Sequence, residues 1–91
     1  MEVVLNKQSI KYVINLTNID KQRIGNALMK LKLEPPEGDI IKLTDKENEY
    51  RVRVGDLRIL YKIKERTKAD GNRENYITVY KIAPRGQIYK E

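Results

Sequence analysis

Neither cysteine nor histidine occurs in the 91-residue sequence. Without cysteine there is no disulfide framework and no thiolate metal site, and a reducing compartment suits the chain. Without histidine the commonest metal ligand and the commonest acid or base near neutral pH are both missing. Serine occurs once, as Ser9. Any catalysis must therefore use carboxylates, lysine, arginine, tyrosine or that one hydroxyl. No apolar run is long enough to cross a bilayer, and the opening MEVVLNKQ lacks a charged segment followed by an apolar one. The expectation is a soluble, cytoplasmic protein with no membrane association, a single domain over residues 1–91 with a modest core.

Positive charge is abundant, and it is unevenly placed. The net charge is +6. Residues 1–50 hold eight Lys or Arg against eight Asp or Glu, whereas residues 51–91 hold eleven against five. The whole excess lies in the C-terminal half. A one-sided basic field is what a nucleic-acid binder needs to displace counterions from phosphates, although a plain solubilising surface has the same composition.

Hydrophobic spacing divides the chain into elements. Val3 to Leu5 suits a short strand, and SIKYVINL carries Ile10, Val13 and Ile14 on one face of a short helix. A second helix is predicted from a cap at Asp20, with Ile19 and Ile24 as a hydrophobic staple and Ile24, Ala27, Leu28 and Leu31 at helical spacing; it stops before Pro35. Ile40, Ile41 and Leu43 suggest another short strand. Strands are then predicted over Tyr50 to Val54, Leu57 to Lys64 and Tyr76 to Ala83, with residues 65–75 read as a mobile polar loop. The fold class that follows is α+β, with two N-terminal helices packed on one face of a small, mostly antiparallel twisted sheet.

The segment YRVRVGDLRILYKI, residues 50–63, is the most informative stretch. A two-residue turn at Gly55 and Asp56 sets Val54 opposite Leu57 and Arg53 opposite Arg58. Alternation places Tyr50, Val52, Val54, Leu57, Ile59, Tyr61 and Ile63 on one face. Arg51, Arg53, Arg58, Lys62 and Lys64 fall on the other, with Leu60 among them. Like charges directly opposite each other destabilise a hairpin, so the pair of arginines reads as a preformed oxyanion site, guanidinium being well shaped for phosphate. The chain closes with YKIAPRGQIYKE, where Arg85 and Tyr89 follow Pro84. Tyr89 offers a ring on which an unstacked base can lie, or else it packs the tail onto the sheet.

The order of elements, the segment YRVRVGDLRILYKI and the ending IAPRGQIYK together resemble the RelE/ParE superfamily of toxins from toxin–antitoxin systems, and most closely its RelE-type mRNA interferases. The resemblance implies a RelE-like fold and a ribosome-dependent endoribonuclease, with no metal or cofactor, that cuts mRNA in the ribosomal A site. In that reaction the ribose 2′-hydroxyl attacks the adjacent phosphate, leaving a 2′,3′-cyclic phosphate and a 5′-hydroxyl. By the family motif Arg58 is the phosphate-stabilising arginine, Arg85 assists the leaving group, and Tyr89 stacks on or orients the substrate. Arg53 joins them in the catalytic set, and Arg51, Lys62 and Lys81 are RNA-binding positions.

The best-known members carry two lysines where this chain has Arg51 and Arg53. Arginine stays protonated and is a poor general base, which leaves Glu47 or Glu49 as candidates for that role. Glu49 reads more simply as an exposed strand-end carboxylate paired with an arginine. The implied partners are a cognate antitoxin with an acidic or amphipathic segment, forming a heterotetramer with the toxin, and the ribosome with its mRNA. Two other readings remain open: a ParE-like toxin that acts on DNA gyrase without cleaving, and a catalytically inert RNA- or ribosome-binding module.

Overall fold

The computed structural model describes residues 1–89; Lys90, the last residue of the quoted IAPRGQIYK, and Glu91 lie outside the described residues. The elements follow as β1 (Val3–Leu5), α1 (Lys7–Ile14), α2 (Asn18–Leu31), β2 (Ile40–Lys42), β3 (Glu49–Val54), β4 (Leu57–Thr67) and β5 (Arg73–Pro84). The strands make one sheet in the order β1-β5-β4-β3-β2, parallel between β1 and β5 and antiparallel at the other pairings. The class is α+β as expected, and both helices follow the short strand read at Val3–Leu5. The sheet is antiparallel except at its β1–β5 edge, which makes it mixed.

Both helices begin on a side-chain cap. Asn6 Oδ1 accepts the Ser9 N–H at 2.9 Å, and Thr17 Oγ1 accepts the Asp20 N–H at 3.2 Å. The second helix therefore starts earlier than predicted, because Thr17, three residues ahead of Asp20, reaches the free amide first. The expected staple fails with that shift: Ile19 is 65% exposed. Ser9, the lone serine, is fully buried in the first turn of α1.

The hairpin register is the predicted one, with Val54 opposite Leu57, Arg53 opposite Arg58 and Val52 opposite Ile59. Gly55 takes φ 58°, the left-handed conformation that the first position of a primed hairpin turn requires. The inward face of β3 and β4 meets the helices as predicted. Ile24 and Leu31 of α2 pack with Val52, Leu57, Ile59, Tyr61, Ile77, Val79 and Ile82 in the main core.

Two features of β4 and β5 depart from the prediction. Residues 65–75 are mostly strand, with Glu65 paired to Asn75, Arg66 to Glu74 and Thr67 to Arg73. Arg66 bonds Glu74 at 2.8 Å and also Glu2, and its guanidinium lies over the Tyr76 ring. Only the tip at 68–72 turns, through Gly71 at φ 89°. The second feature is a bulge. Leu60 pairs with Lys81 but Tyr61 pairs with Val79, which makes Tyr80 an extra residue. Val79 and Ile82, three apart in sequence, both enter the main core because the bulge absorbs the odd residue between them. Asn6 holds this point, its side chain donating to Tyr80 O at 2.8 Å and its N–H to Val79 O at 3.1 Å.

Candidate functional site

The sheet face turned away from the helices is built from alternate positions of three strands. Glu49, Arg51 and Arg53 on β3 stand opposite Lys62, Leu60 and Arg58 on β4, and Leu60 and Arg58 in turn stand opposite Lys81 and Ala83 on β5. Sequence alternation suggested an open cationic surface. Part of it is instead covered: after Pro84 the chain turns back, and Ile88 buries itself against Leu60 and Ala83, with Leu43 and Tyr80 packed alongside. An apolar plug small enough to be carried by one isoleucine thus fixes the tail on the face.

The opposed arginines are kept apart by separate partners. Arg53 is exposed, and its Nε donates to Asp39 Oδ2 at 2.7 Å, which draws it toward the β2 edge. Arg58 folds over the turn and donates from Nη1 to Gly55 O and Leu57 O, each at 2.8 Å. It is 7% exposed. Its guanidinium is held below the usual arginine range, first by loss of water and then by the positive charges of Arg51, Arg53 and Arg85, with Asp39 opposing. Arg51 is half-buried, and its Nε is buried with no hydrogen-bond partner among the described residues. Arg85 is exposed, and its backbone N–H donates to Asp56 O at 2.8 Å, which ties the tail to the hairpin turn. The fold therefore gathers four arginines, 51, 53, 58 and 85, into one electrostatic group.

Beside this group lies a cleft of about 490 Å³, floored by Leu43, Leu60 and Ile88 and walled by Tyr80 and Tyr89, with Lys46 and Lys81 among its lining. Tyr89 is 61% exposed, so Ile88 does the packing and leaves the neighbouring ring in solvent. The Tyr80 hydroxyl donates to Glu49 Oε1 at 2.9 Å, and Lys62 Nζ lies 5.1 Å from the centre of the Tyr80 ring. Burial raises the Tyr80 hydroxyl well above the usual phenol range, with further contributions from the hydrogen bond and charge of Glu49 and from Tyr89. Lys46 Nζ lies 3.9 Å from the same Glu49 oxygen, whose side chain is 15% exposed. Glu49 is thus neither exposed nor paired with an arginine, as sequence alone suggested. Among the described residues no cluster of three or more acidic side chains is arranged to hold a metal ion.

Arg51, Arg53, Arg58, Lys62, Lys81 and Glu49 lie on this face and Arg85 and Tyr89 on the tail that crosses it, whereas Glu47 is exposed in the turn before β3. Two participants were missed. Asp39 contacts Arg53 across fourteen positions, with no local pattern to announce it. Tyr80 was assigned to a regular strand, yet the spacing of Val79 and Ile82 already marks the slipped phase that turns it onto this face.

No protein-family model matches the chain, and no curated protein matches it. Among solved structures, a chain in the crystal structure of the RelB-RelE antitoxin-toxin complex from Methanococcus jannaschii shares its fold, with a TM-score of 0.67 and 21% identity, over 94% of this chain and 94% of that one.

Proposed function

We propose that this protein is the toxin of a toxin–antitoxin pair and that it acts as a ribosome-dependent endoribonuclease on mRNA in the A site. The observation that carries the reading is Arg58, a guanidinium buried among three other arginines beside a cleft walled by Tyr80 and Tyr89. Gathering like charges and removing one of them from water opposes folding. A polyanion bound there reverses the sign of that term. The fold shared with a chain of an antitoxin–toxin complex supports the same reading, and the basic C-terminal half favours the toxin as the member of the pair.

In this account Arg51 takes the catalytic place expected of Arg53, because Asp39 holds Arg53 while the buried Arg51 Nε has no partner among the described residues, and Arg58 and Arg51 stabilise the charge that builds on the phosphate during attack by the 2′-hydroxyl. Arg85, held at the turn by the tail, stands by the departing 5′-oxygen, and Tyr89 stacks on a base of the substrate. Arg53, Lys62 and Lys81 attract and align the RNA backbone. No metal or cofactor takes part. The antitoxin supplies an acidic or amphipathic segment that occupies the arginine group, and two copies of each chain assemble as a heterotetramer.

The test is incubation of the purified protein with ribosomes programmed with a defined mRNA, followed by primer extension. The expected result is a new 5′ end within the A-site codon, lost in Arg85→Ala and weakened in Tyr89→Phe. Intact mRNA together with inhibited DNA supercoiling would transfer the protein to the gyrase-directed toxins. Intact mRNA with ribosome binding alone would make it an inert binding module.

A further inference from the structure

The arginine group lacks a proton acceptor, because none of its four guanidinium groups gives up a proton at neutral pH. The same sheet face supplies one. Glu49 stands two residues before Arg51 on β3, so the two side chains leave the same face about 6.7 Å apart along the strand. A phosphate on Arg51 and a 2′-hydroxyl at Glu49 therefore fit within a single ribonucleotide. Arg51 has its buried Nε unpartnered among the described residues, which is the condition of a donor awaiting an anion.

Resting on the nuclease reading, we infer that Glu49 is the catalytic proton acceptor for the attacking 2′-hydroxyl and that Tyr80 is the residue that positions it. The phenol donates to Oε1 and fixes the rotation of the carboxylate. Oε2 receives no hydrogen bond among the described residues, and it is the oxygen left to take the proton. Lys46 approaches Glu49 from the link before β3, Lys62 stands opposite on β4, Arg51 follows on the same strand, and Asp45, Lys81 and Tyr89 line the cleft that Tyr80 walls. Burial and the Glu49 charge keep the Tyr80 hydroxyl protonated, so it serves only as a donor.

The step balances without an added reagent other than water. The 2′-hydroxyl proton passes to Oε2, the O2′–P bond forms, and the P–O5′ bond breaks. The departing 5′-oxygen takes a proton from water beside Arg85, and Glu49 later releases its own to solvent. The products are the 2′,3′-cyclic phosphate and the 5′-hydroxyl.

The test compares wild type, Glu49→Gln, Tyr80→Phe and the double variant in single-turnover cleavage on programmed ribosomes, with thermal melting of each variant alongside. Glu49→Gln keeps the shape and the acceptor for Tyr80, so it is expected to melt with wild type. It is also expected to cleave about 10²- to 10⁴-fold more slowly. Tyr80→Phe is expected to lose about fivefold in rate, because the carboxylate has lost the donor that fixes its rotation, and to lose nothing further in the Glu49→Gln background. A purely structural Tyr80 would lower the rate by the same factor in both backgrounds. Glu49→Gln cleaving within threefold of wild type would overturn the assignment and leave the nuclease reading standing. A wild type that never cleaves would overturn both.

Discussion

The two faces of the sheet are built on opposite logic. Toward the helices, β3, β4 and β5 present Val52, Ile59, Tyr61, Ile77, Val79 and Ile82, all nearly or fully buried in one cluster with Ile24 and Leu31. Away from the helices the same strands present Arg51, Arg53 and Arg58, the tail adds Arg85, the other three charges act on Arg58, and Ile88 of the tail forms an apolar plug with Leu60 and Ala83. One face removes apolar area from water and lowers the free energy of the fold. The other collects charge and dehydrates part of it, which raises that free energy. A sheet that spends its inner face on stability and its outer face on a destabilising cluster has separated folding from function between two sides of one layer, and substitutions on the two sides should report different things.

The largest effect belongs to the inner face. Ile59 is fully buried at the centre of the main core. Ile59→Ala should cost about 2–5 kcal/mol, and at about 4–8 °C per kcal/mol this is a large drop in melting temperature for a domain this small. Thermal and urea unfolding followed by circular dichroism will measure it. A loss under about 1 kcal/mol would mean that the inner face is not the seat of stability.

Arg58→Met breaks the comparison from the other side. Methionine keeps the length and bulk and discards the dehydrated charge, so the melting temperature should stay within a few degrees of wild type or rise. Cleavage of programmed mRNA should fall about 10²- to 10³-fold, the cost of removing one group that stabilises transition-state charge. A variant that melts far below wild type would show that Arg58 serves the fold through its bonds to Gly55 O and Leu57 O.

A smaller effect distinguishes the faces by pH. Burial, with a lesser contribution from the stacked Tyr50, pushes the Tyr61 hydroxyl up from 10.0 to about 12. The folded state thus holds this proton more tightly than the unfolded chain does. The corresponding stability is complete below pH 10 and declines as pH rises toward 12, by about 1.4 kcal/mol per pH unit for one proton. Tyr12 and Tyr80 are raised in the same direction, so Tyr61→Phe should make the alkaline decline of the urea midpoint shallower without abolishing it. An unchanged decline would place the titrating group elsewhere.

The smallest effect is expected from Asp39→Asn. Its ion pair with Arg53 is largely exposed, so stability should change by less than about 1 kcal/mol. RNA should nevertheless bind more tightly, with a salt dependence steeper by up to about one unit, since a carboxylate is gone and Arg53 is released to phosphate. Weaker binding would mean that Asp39 positions Arg53 for the RNA and does not compete for it.

Much of this separation was readable from residue order. Period-two alternation across Gly55 and Asp56 gave the hairpin register and the division of side chains between faces, because a strand with one buried face leaves a strong signal. Where neither face is buried the signal disappears. Residues 65–67 and 73–75 were read as loop, and they pair as strand through Arg66, Glu74, Glu65 and Arg73, charges whose cross-strand partners cannot be inferred from alternation. The cap of α2 was misplaced because Thr17 and Asp20 are both competent caps, and hydrophobic spacing fixes a helix face better than its first residue. The arginines of the site were visible as residues. Their separate anchors on Asp39 and on the turn carbonyls, the plug at Ile88 and the pairing of Tyr80 with Glu49 were not, since each depends on a contact between distant segments or on the bulge.

The most direct test of the central claim is to measure A-site cleavage and melting temperature together for wild type and Arg58→Met, using programmed ribosomes and primer extension. The account predicts a new 5′ end within the A-site codon for wild type, and its loss in a variant that melts as high as wild type. Intact mRNA with wild type, or full cleavage by Arg58→Met, would contradict it.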